Sequence, residues 1–505
     1  MLSKITSFGL LGLVGFPVVV EADISFGMPA YETVGLPGAA VRESKERVRA
    51  AIKNSGFSYP QQRITINLAP ADLKKQGPIY DLAIALGLLC ASGQAPPPDE
   101  NSVFLGELSL DGQLRAIAGA LPMAISAREE GFNKLFIPPE NAGEIAYLQG
   151  LTIYPVSRLA DLVLHLSGAK PIIPYPMLNY RPDDGALHPG DMAHIRGQQQ
   201  ARRALEIAAA GSHNLLFIGP PGSGKTMLAR ALPGILPDLC FEEALEISKI
   251  QSVCGLSSGG IAKVRPFRSP HHTLSTAALT GGGHYVLPGE ISLAHGGVLF
   301  LDELAEFKRE ALEALRQPLE DRQISIARAN AKVTYPANVM LIASMNPCPC
   351  GNYGSEKPCR CSPREIRQYL SRISGPLLDR IDMHVGMDAV TYGELAEEKQ
   401  AERSRDVRAR VNAARRIQHE RFAGTGIYGN ASLSGQQLET HCALSASCQK
   451  LMESAYTAFG LSPRGRARVL KVARTIADLA GAEKIDEKHL AEALQYRAPD
   501  ERYWG

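Results

Sequence analysis

Apolar positions along the chain alternate between short runs that fit strands and wider stripes that fit helices. Runs at 18–20, 64–68, 103–105 and 135–137 read as strands, and 41–55, 80–91 and 120–130 carry helical patterns between them. The apolar stretch 8–20 is broken by glycines and Pro17 and followed by Glu21 and Asp23, so it reads as strand rather than as a secretory leader. Residues 1–166 therefore predict an α/β domain of their own. Pro171, Pro174, Pro176, Pro182 and Pro189 then remove all periodicity over 167–190, as a linker would.

A second α/β region covers 191–390. It has a helix at 199–210, buried strands at 214–218, 298–301 and 339–345, and an amphipathic helix at 306–320. Residues 324–335 alternate around Ala329-Asn330 and predict a β-hairpin with Arg328 and Lys332 close to its tip. Residues 391–505 are helical. In the first of these helices, 394–422, Val407, Val411 and Ala414 form a stripe, and seven arginines from Arg403 to Arg421 face only Asp406 and Glu420, which predicts a solvated or a DNA-facing surface.

Composition narrows this little. Hydrophobic residues at 45% and charged residues at 21% describe an ordinary globular chain long enough for three or four domains. The formal net charge of +2 excludes neither an acidic nor a nucleic-acid partner. No run approaches the ~18–20 apolar residues of a membrane span.

The chemistry begins at Gly219-Pro-Pro-Gly-Ser-Gly-Lys-Thr226, between the apolar run ending at Ile218 and the helix-forming residues from Met227. A buried strand, a glycine-rich turn and a helix start aim backbone N–H groups at one point, which suits a polyphosphate. Gly219, Pro220, Pro221, Gly222, Ser223 and Gly224 form the cradle, Lys225 is a point charge for the outer phosphates, and the Thr226 hydroxyl suits Mg2+. About seventy residues later Gly297-Val-Leu-Phe-Leu-Asp-Glu303 ends four apolar residues in two acids. Asp302 suits the same Mg2+, and Glu303 can orient or deprotonate an attacking water, so the two motifs predict ATP hydrolysis. With such a motor, the nine cysteines point to a reducing cytoplasm.

In the first domain, Gly77-Pro-Ile-Tyr-Asp81 and Gly106-Glu-Leu-Ser-Leu-Asp-Gly112 resemble the peptidase domain of Lon-type proteases, which shares its fold with a ribosomal protein. The catalytic serine and lysine of that family are replaced here by Ile79 and, around the start of the later helix, Pro122. Lys74, Lys75 and Ser126 lie nearby but not at matching positions, so the domain is expected to be proteolytically silent and to serve as a scaffold or for docking a protein.

Arg265-Pro-Phe-Arg-Ser-Pro-His-His-Thr273 and the run PGEISLAHGGVLFLDE, 288–303, resemble magnesium-chelatase-type AAA+ ATPases, and over nearly the whole chain the resemblance is nearest to the ComM/YifB group. It implies a three-layer P-loop core with an insertion at 250–285 directed to a ring pore, a pore hairpin before the sensor strand, and a C-terminal helical lid. It also implies a homo-hexamer acting on DNA, in branch migration during natural transformation. Asn346 matches sensor 1, Arg380 in Ser374-Gly-Pro-Leu-Leu-Asp-Arg-Ile-Asp382 matches an arginine finger, and Arg464, with Arg468 behind it, matches sensor 2. Ile195 and Gly197 either lie against the adenine or cap the following helix. Two other functions stay open: a magnesium-chelatase motor subunit, or an ATP-dependent protein remodeller or protease regulator.

Cys348, Cys350, Cys359 and Cys361 form two tight pairs around a loop with Gly351 and Gly354. They either close a tetrahedral zinc site or remain free thiols. His271 and His272 are metal ligands or, since adjacent side chains rarely meet on one ion, structural or intersubunit groups.

Overall fold

A long hairpin, Leu2–Leu11 against Val14–Ser25, opens the fold. Alternation along it buries Ile5, Val18, Val20, Ala22 and Ile24, and the helices Asp81–Ala91 and Ala120–Glu129 pack on it. Arg63–Ala69 joins the second strand antiparallel, and Ala30–Val34 pairs parallel with Arg63–Ala69 to complete a four-stranded sheet. Ser102–Phe104, Lys134–Ile137 and Thr152–Pro155 form a separate parallel sheet.

The structure is a computed structural model that describes residues 1–182, 190–283, 286–328, 331–389, 402–497 and 503. It divides into one unit of Met1–Arg181 with Phe241–Lys263 and another of Pro182–Cys240 with Val264–Gly505. Two points differ from the sequence expectation. Much of the expected linker belongs to the front unit, where Tyr175 and Leu178 donate backbone N–H groups to Ile153 and Ala146 at 2.8 and 2.9 Å.

The second difference concerns the insertion expected at 250–285, which divides after Lys263. Its first part continues the helix Phe241–Val253, which buries Ala244, Ile247 and Ile250 and packs with Ala120–Glu129. The Gly119 N–H donates to the Ser252 carbonyl at 2.8 Å, and the Leu121 N–H to the Ser252 hydroxyl at 3.3 Å. An apolar stripe at helical spacing needs a partner, and the front unit supplies it.

In the other unit five parallel strands lie in the order Phe267–Arg268, Val298–Leu301, Met340–Met345, Leu215–Ile218, Met383–Gly386. Leu215, Phe217, Val298 and Phe300 face one apolar cluster, and Leu216, Ile218, Leu299 and Leu301 face another. A sheet buried on both faces explains why its strands read as continuous apolar runs. Helices Gln199–Gly211, Ser404–Arg421 and Pro463–Leu479 contribute to the first cluster, and Pro363–Leu370 to the second, which gives the three-layer α/β core.

The single helix expected at 306–320 is instead two, Arg309–Ala314 and Arg316–Asp321. Pro318 has no N–H to carry the ladder through the junction. The expected start of the helix at 394 lies outside the described residues, and the described helix is Ser404–Arg421. Its arginines are not simply solvated: Arg408 pairs with Asp238, Arg410 with Glu206 and Glu402, and Arg421 with Asp478. The expected hairpin is present as Gln323–Arg328 and Ala331–Pro336, antiparallel, with Ala327 opposite Lys332. No described helix is long and apolar enough to cross a membrane.

Candidate functional site

Three strand ends converge. Leu215–Ile218 delivers Gly219, Met340–Met345 delivers Asn346, and Val298–Leu301 delivers Asp302 and Glu303. The strand ending at Asn346 lies between the other two, so it borders both motifs. Gly222 and Gly224 take φ of +80° and +89°, a turn that a side chain would strain, and Lys225 begins the helix Lys225–Ala231. First-turn N–H groups of a helix lack an intrahelical acceptor and remain available to a ligand.

The Lys225 ammonium is buried and donates to the Gly219 and Pro220 carbonyls at 2.7 and 2.8 Å and to Asn346 Oδ1 at 3.3 Å. Burial pulls its pKa down to about 8, against the opposing pull of Asp302 and Glu303. The Thr226 hydroxyl donates to Asp302 Oδ2 at 2.8 Å, and Ser344 Oγ donates to Asp302 Oδ1. The Ser344 hydroxyl also accepts the Glu303 N–H at 3.4 Å. Glu303 is exposed, at a φ of +54°, with His272 Nδ1 3.7 Å from its carboxylate. Cationic and backbone donors on one side, and hydroxyl and carboxylate oxygens on the other, fit a triphosphate with Mg2+.

Ile195 is buried in the same apolar cluster as Leu228 and Met387, and Gly197 has a φ of +64°. Gln198 Nε2 donates to the Asp388 carbonyl at 2.7 Å, and the Met387 N–H donates to Ile218, so this segment is tied to the strand that feeds the phosphate loop.

Arg380 and Arg464 lie elsewhere. Asn214, at the start of the strand that ends in the phosphate loop, donates through Nδ2 to the Arg380 carbonyl at 2.8 Å. Five residues of extended chain separate that end from Gly219, about 16 Å. There Arg380 donates to the Pro376 carbonyl at 2.6 Å and to Glu320, and Arg464 stands 3.6 Å from the same carboxylate. Arg468 is 3.6 Å from Asp382. These groups line a cavity of about 470 Å³ that also takes in Arg322 and Lys471. In the hairpin, Lys332 is exposed, while Arg328 is described only through its backbone pairing with Ala331.

The four cysteines come together. Cys348 Sγ lies 3.5 Å from Cys350 and 3.7 Å from Cys359, with 3.6 Å between Cys350 and Cys359, and all four sulfurs lie within 4.8 Å of one another. Four ligands at ~2.3 Å from one tetrahedral ion would stand ~3.8 Å apart, so the set fits zinc. Among the described residues this is the one cluster of metal-ligand type. His271 bonds Thr273 and His272 faces Glu303 instead.

In the front unit Ile79 and Pro122 are buried. Ser126 Oγ accepts the Gly15 N–H at 2.9 Å, and the buried Lys75 ammonium donates to the Pro70 carbonyl, so each is engaged away from a nucleophile–base pair. Asp81 is buried and takes both Nε and Nη2 of Arg47, at 2.8 and 3.2 Å. Sequence reasoning missed Ser344, Glu320 and the Arg47–Asp81 pair. Only Ser344 left a trace, as a polar position inside a buried strand.

Three family descriptions match the chain: magnesium chelatase, subunit ChlI, over residues 191–395; subunit ChlI of Mg-chelatase over 20–141; and the subunit ChlI C-terminal region over 401–497. The competence protein ComM of Haemophilus influenzae is 45% identical over 490 residues, 95% of this chain and 94% of its own length. The YifB proteins of Salmonella typhimurium and Escherichia coli are each 44% identical, over 97% and 99% of this chain and 96% and 97% of theirs. A phosphate loop facing an acidic strand end, within a likeness of this extent, identifies an ATPase that uses ATP and Mg2+. The chain belongs to the magnesium-chelatase-like AAA+ ATPases, in the group of ComM and YifB.

Proposed function

We propose that the chain is a DNA motor that couples ATP hydrolysis to branch migration, helping incoming DNA to recombine during natural transformation. It works as a homo-hexameric ring in the cytoplasm. The observation that carries the ring is the distance of Arg380 and Arg464 from the chain's own phosphate loop, a full strand length away. From there they meet a neighbour's nucleotide, where they offset charge on the terminal phosphate.

Within one subunit Lys225 and the loop N–H groups hold the phosphates. Thr226 and Asp302 hold Mg2+, which supplies charge neutralisation at the phosphate oxygens. Glu303 orients the water and takes its proton, and Asn346 positions the water or the terminal phosphate. Ile195 and Gly197 flank the base. Arg328 and Lys332 follow the phosphate backbone of DNA from the hairpin. The likeness to a competence protein supports the DNA reading. The front domain, without a serine–lysine pair, acts as a docking scaffold for a protein partner, and the four cysteines hold a structural zinc.

The test is ATP turnover with no DNA, with single strands and with a four-way junction, subtracting a Lys225→Ala control. Stimulation greatest with the junction is expected. Turnover indifferent to every DNA would transfer the reading to a chelatase-type or protein-remodelling motor. Mixing inactive Lys225→Ala with inactive Arg380→Ala should restore part of the activity, since a Lys225-intact site can then face an Arg380-intact neighbour.

A further inference from the structure

The cysteine cluster does not lie apart from the nucleotide site. Cys348 is fully buried in the apolar cluster that holds Ile218, Leu301 and Met345, the residues directly before Gly219, Asp302 and Asn346. Cys350, Cys359 and Cys361 pack at the edge of the same cluster. The Gly351 N–H donates to the Cys348 carbonyl at 3.0 Å, turning the loop tightly, and the Tyr353 N–H donates to Cys348 Sγ at 3.4 Å. This turn brings Gly351 against the phosphate loop: a Cβ at Gly351, where φ is +81°, would lie 2.5 Å from Cδ and 2.8 Å from Cγ of Pro221. Between Asn346 and the helix Pro363–Leu370 the chain forms neither helix nor strand, so no backbone ladder holds it in place.

We propose that the zinc-bound Cys348–Cys361 loop is a brace for the phosphate loop, so that nucleotide binding depends on the metal. The ion joins two ends of a loop that has little other means of ordering, and binding it fixes Gly351 under Pro221. Cys348 carries the same constraint to the strand that presents Asn346. The ion takes no part in hydrolysis. It holds the shape of the wall against which the Gly219–Thr226 turn rests.

The inference rests on the zinc reading above, and the experiment separates the two. Full-length protein is measured for zinc by elemental analysis, for affinity by a fluorescent ATP analogue, and for fold by circular dichroism, before and after metal extraction and after zinc is returned. One zinc per chain is expected, with at least a tenfold loss of nucleotide affinity on extraction and recovery on return. Gly351→Ala supplies the metal-independent arm: all four thiols stay, zinc stays stoichiometric, and the methyl displaces Pro221, again weakening affinity at least tenfold. Unchanged affinity in zinc-free protein, in Gly351→Ala with full zinc, or a loss that zinc does not reverse, overturns the brace and leaves the zinc site standing. Protein grown with zinc yet holding well under one equivalent defeats the zinc reading, and the brace with it.

Discussion

Glu320 offers a sharp test of the arginine assignment. Its carboxylate holds Arg380 and lies 3.6 Å from Arg464, and both cations must leave it to act on a neighbour's phosphate. The Glu320 side chain is 50% exposed and that of Arg464 64%, while that of Arg380 is only 13% exposed, so solvent screens the cluster from one side and the restraint is worth on the order of 1 kcal/mol. Glu320→Gln keeps the shape and removes the charge. Releasing ~0.5–1 kcal/mol raises turnover about two- to fivefold at protein concentrations where assembly is incomplete. Arg380→Ala, in contrast, lowers turnover by ~10³ or more while ATP binding is retained, as expected of an arginine acting in trans. The assay is steady-state phosphate release across a protein titration, with nucleotide binding measured in parallel. If Glu320→Gln falls to the level of Arg380→Ala, the acid aims the arginine rather than restraining it, and the reasoning fails.

Lys225→Ala should abolish hydrolysis and weaken ATP binding, measured by phosphate release and nucleotide titration. Ser344→Ala removes one hydroxyl that both donates to Asp302 and accepts from the Glu303 N–H; turnover is expected to drop about ten- to a hundredfold with ATP affinity nearly intact, as for other partners that orient a metal-ligating carboxylate. Burial raises Asp81 from 3.8 to about 6 despite Arg47. The folded state therefore binds the extra proton between those values, and this group's stabilisation, present below pH 4, is lost as pH rises through 6. Urea midpoints followed from pH 4 to 7 should fall less in Asp81→Asn than in the parent chain, and equal slopes would refute the shift.

What the sequence could disclose depended on how far apart the partners lie. The phosphate loop and Asp302-Glu303 are contiguous motifs, and the apolar runs before them announce the strands that hold them. Asn346 and the hairpin at 324–335 were legible for the same reason, as were the paired thiols. Glu320 was not, because its meeting with Arg380 depends on the packing of elements sixty residues apart. Composition misjudged the arginines of 403–421 because Glu206, Asp238 and Asp478, which pair with them, lie far along the chain. The sequence expectation took 250–285 as one pore-directed insertion, whereas its start continues the helix Phe241–Val253, whose buried face meets the front unit. A charge count or a hydrophobic period reports what one segment needs. It does not report who meets the need.

The division of Phe241–Lys263 from the sequence around it also decides how this protein can be taken apart. The backbone passes from one unit to the other three times, after Arg181, Cys240 and Lys263. Cutting once after Arg181 would therefore not release the front unit whole. It would strip the helix Phe241–Val253 of the surface that covers Ile247 and Ile250, leaving a greasy loop stitched at both ends into the ATPase. Front units therefore cannot be exchanged between relatives as cassettes by a single splice.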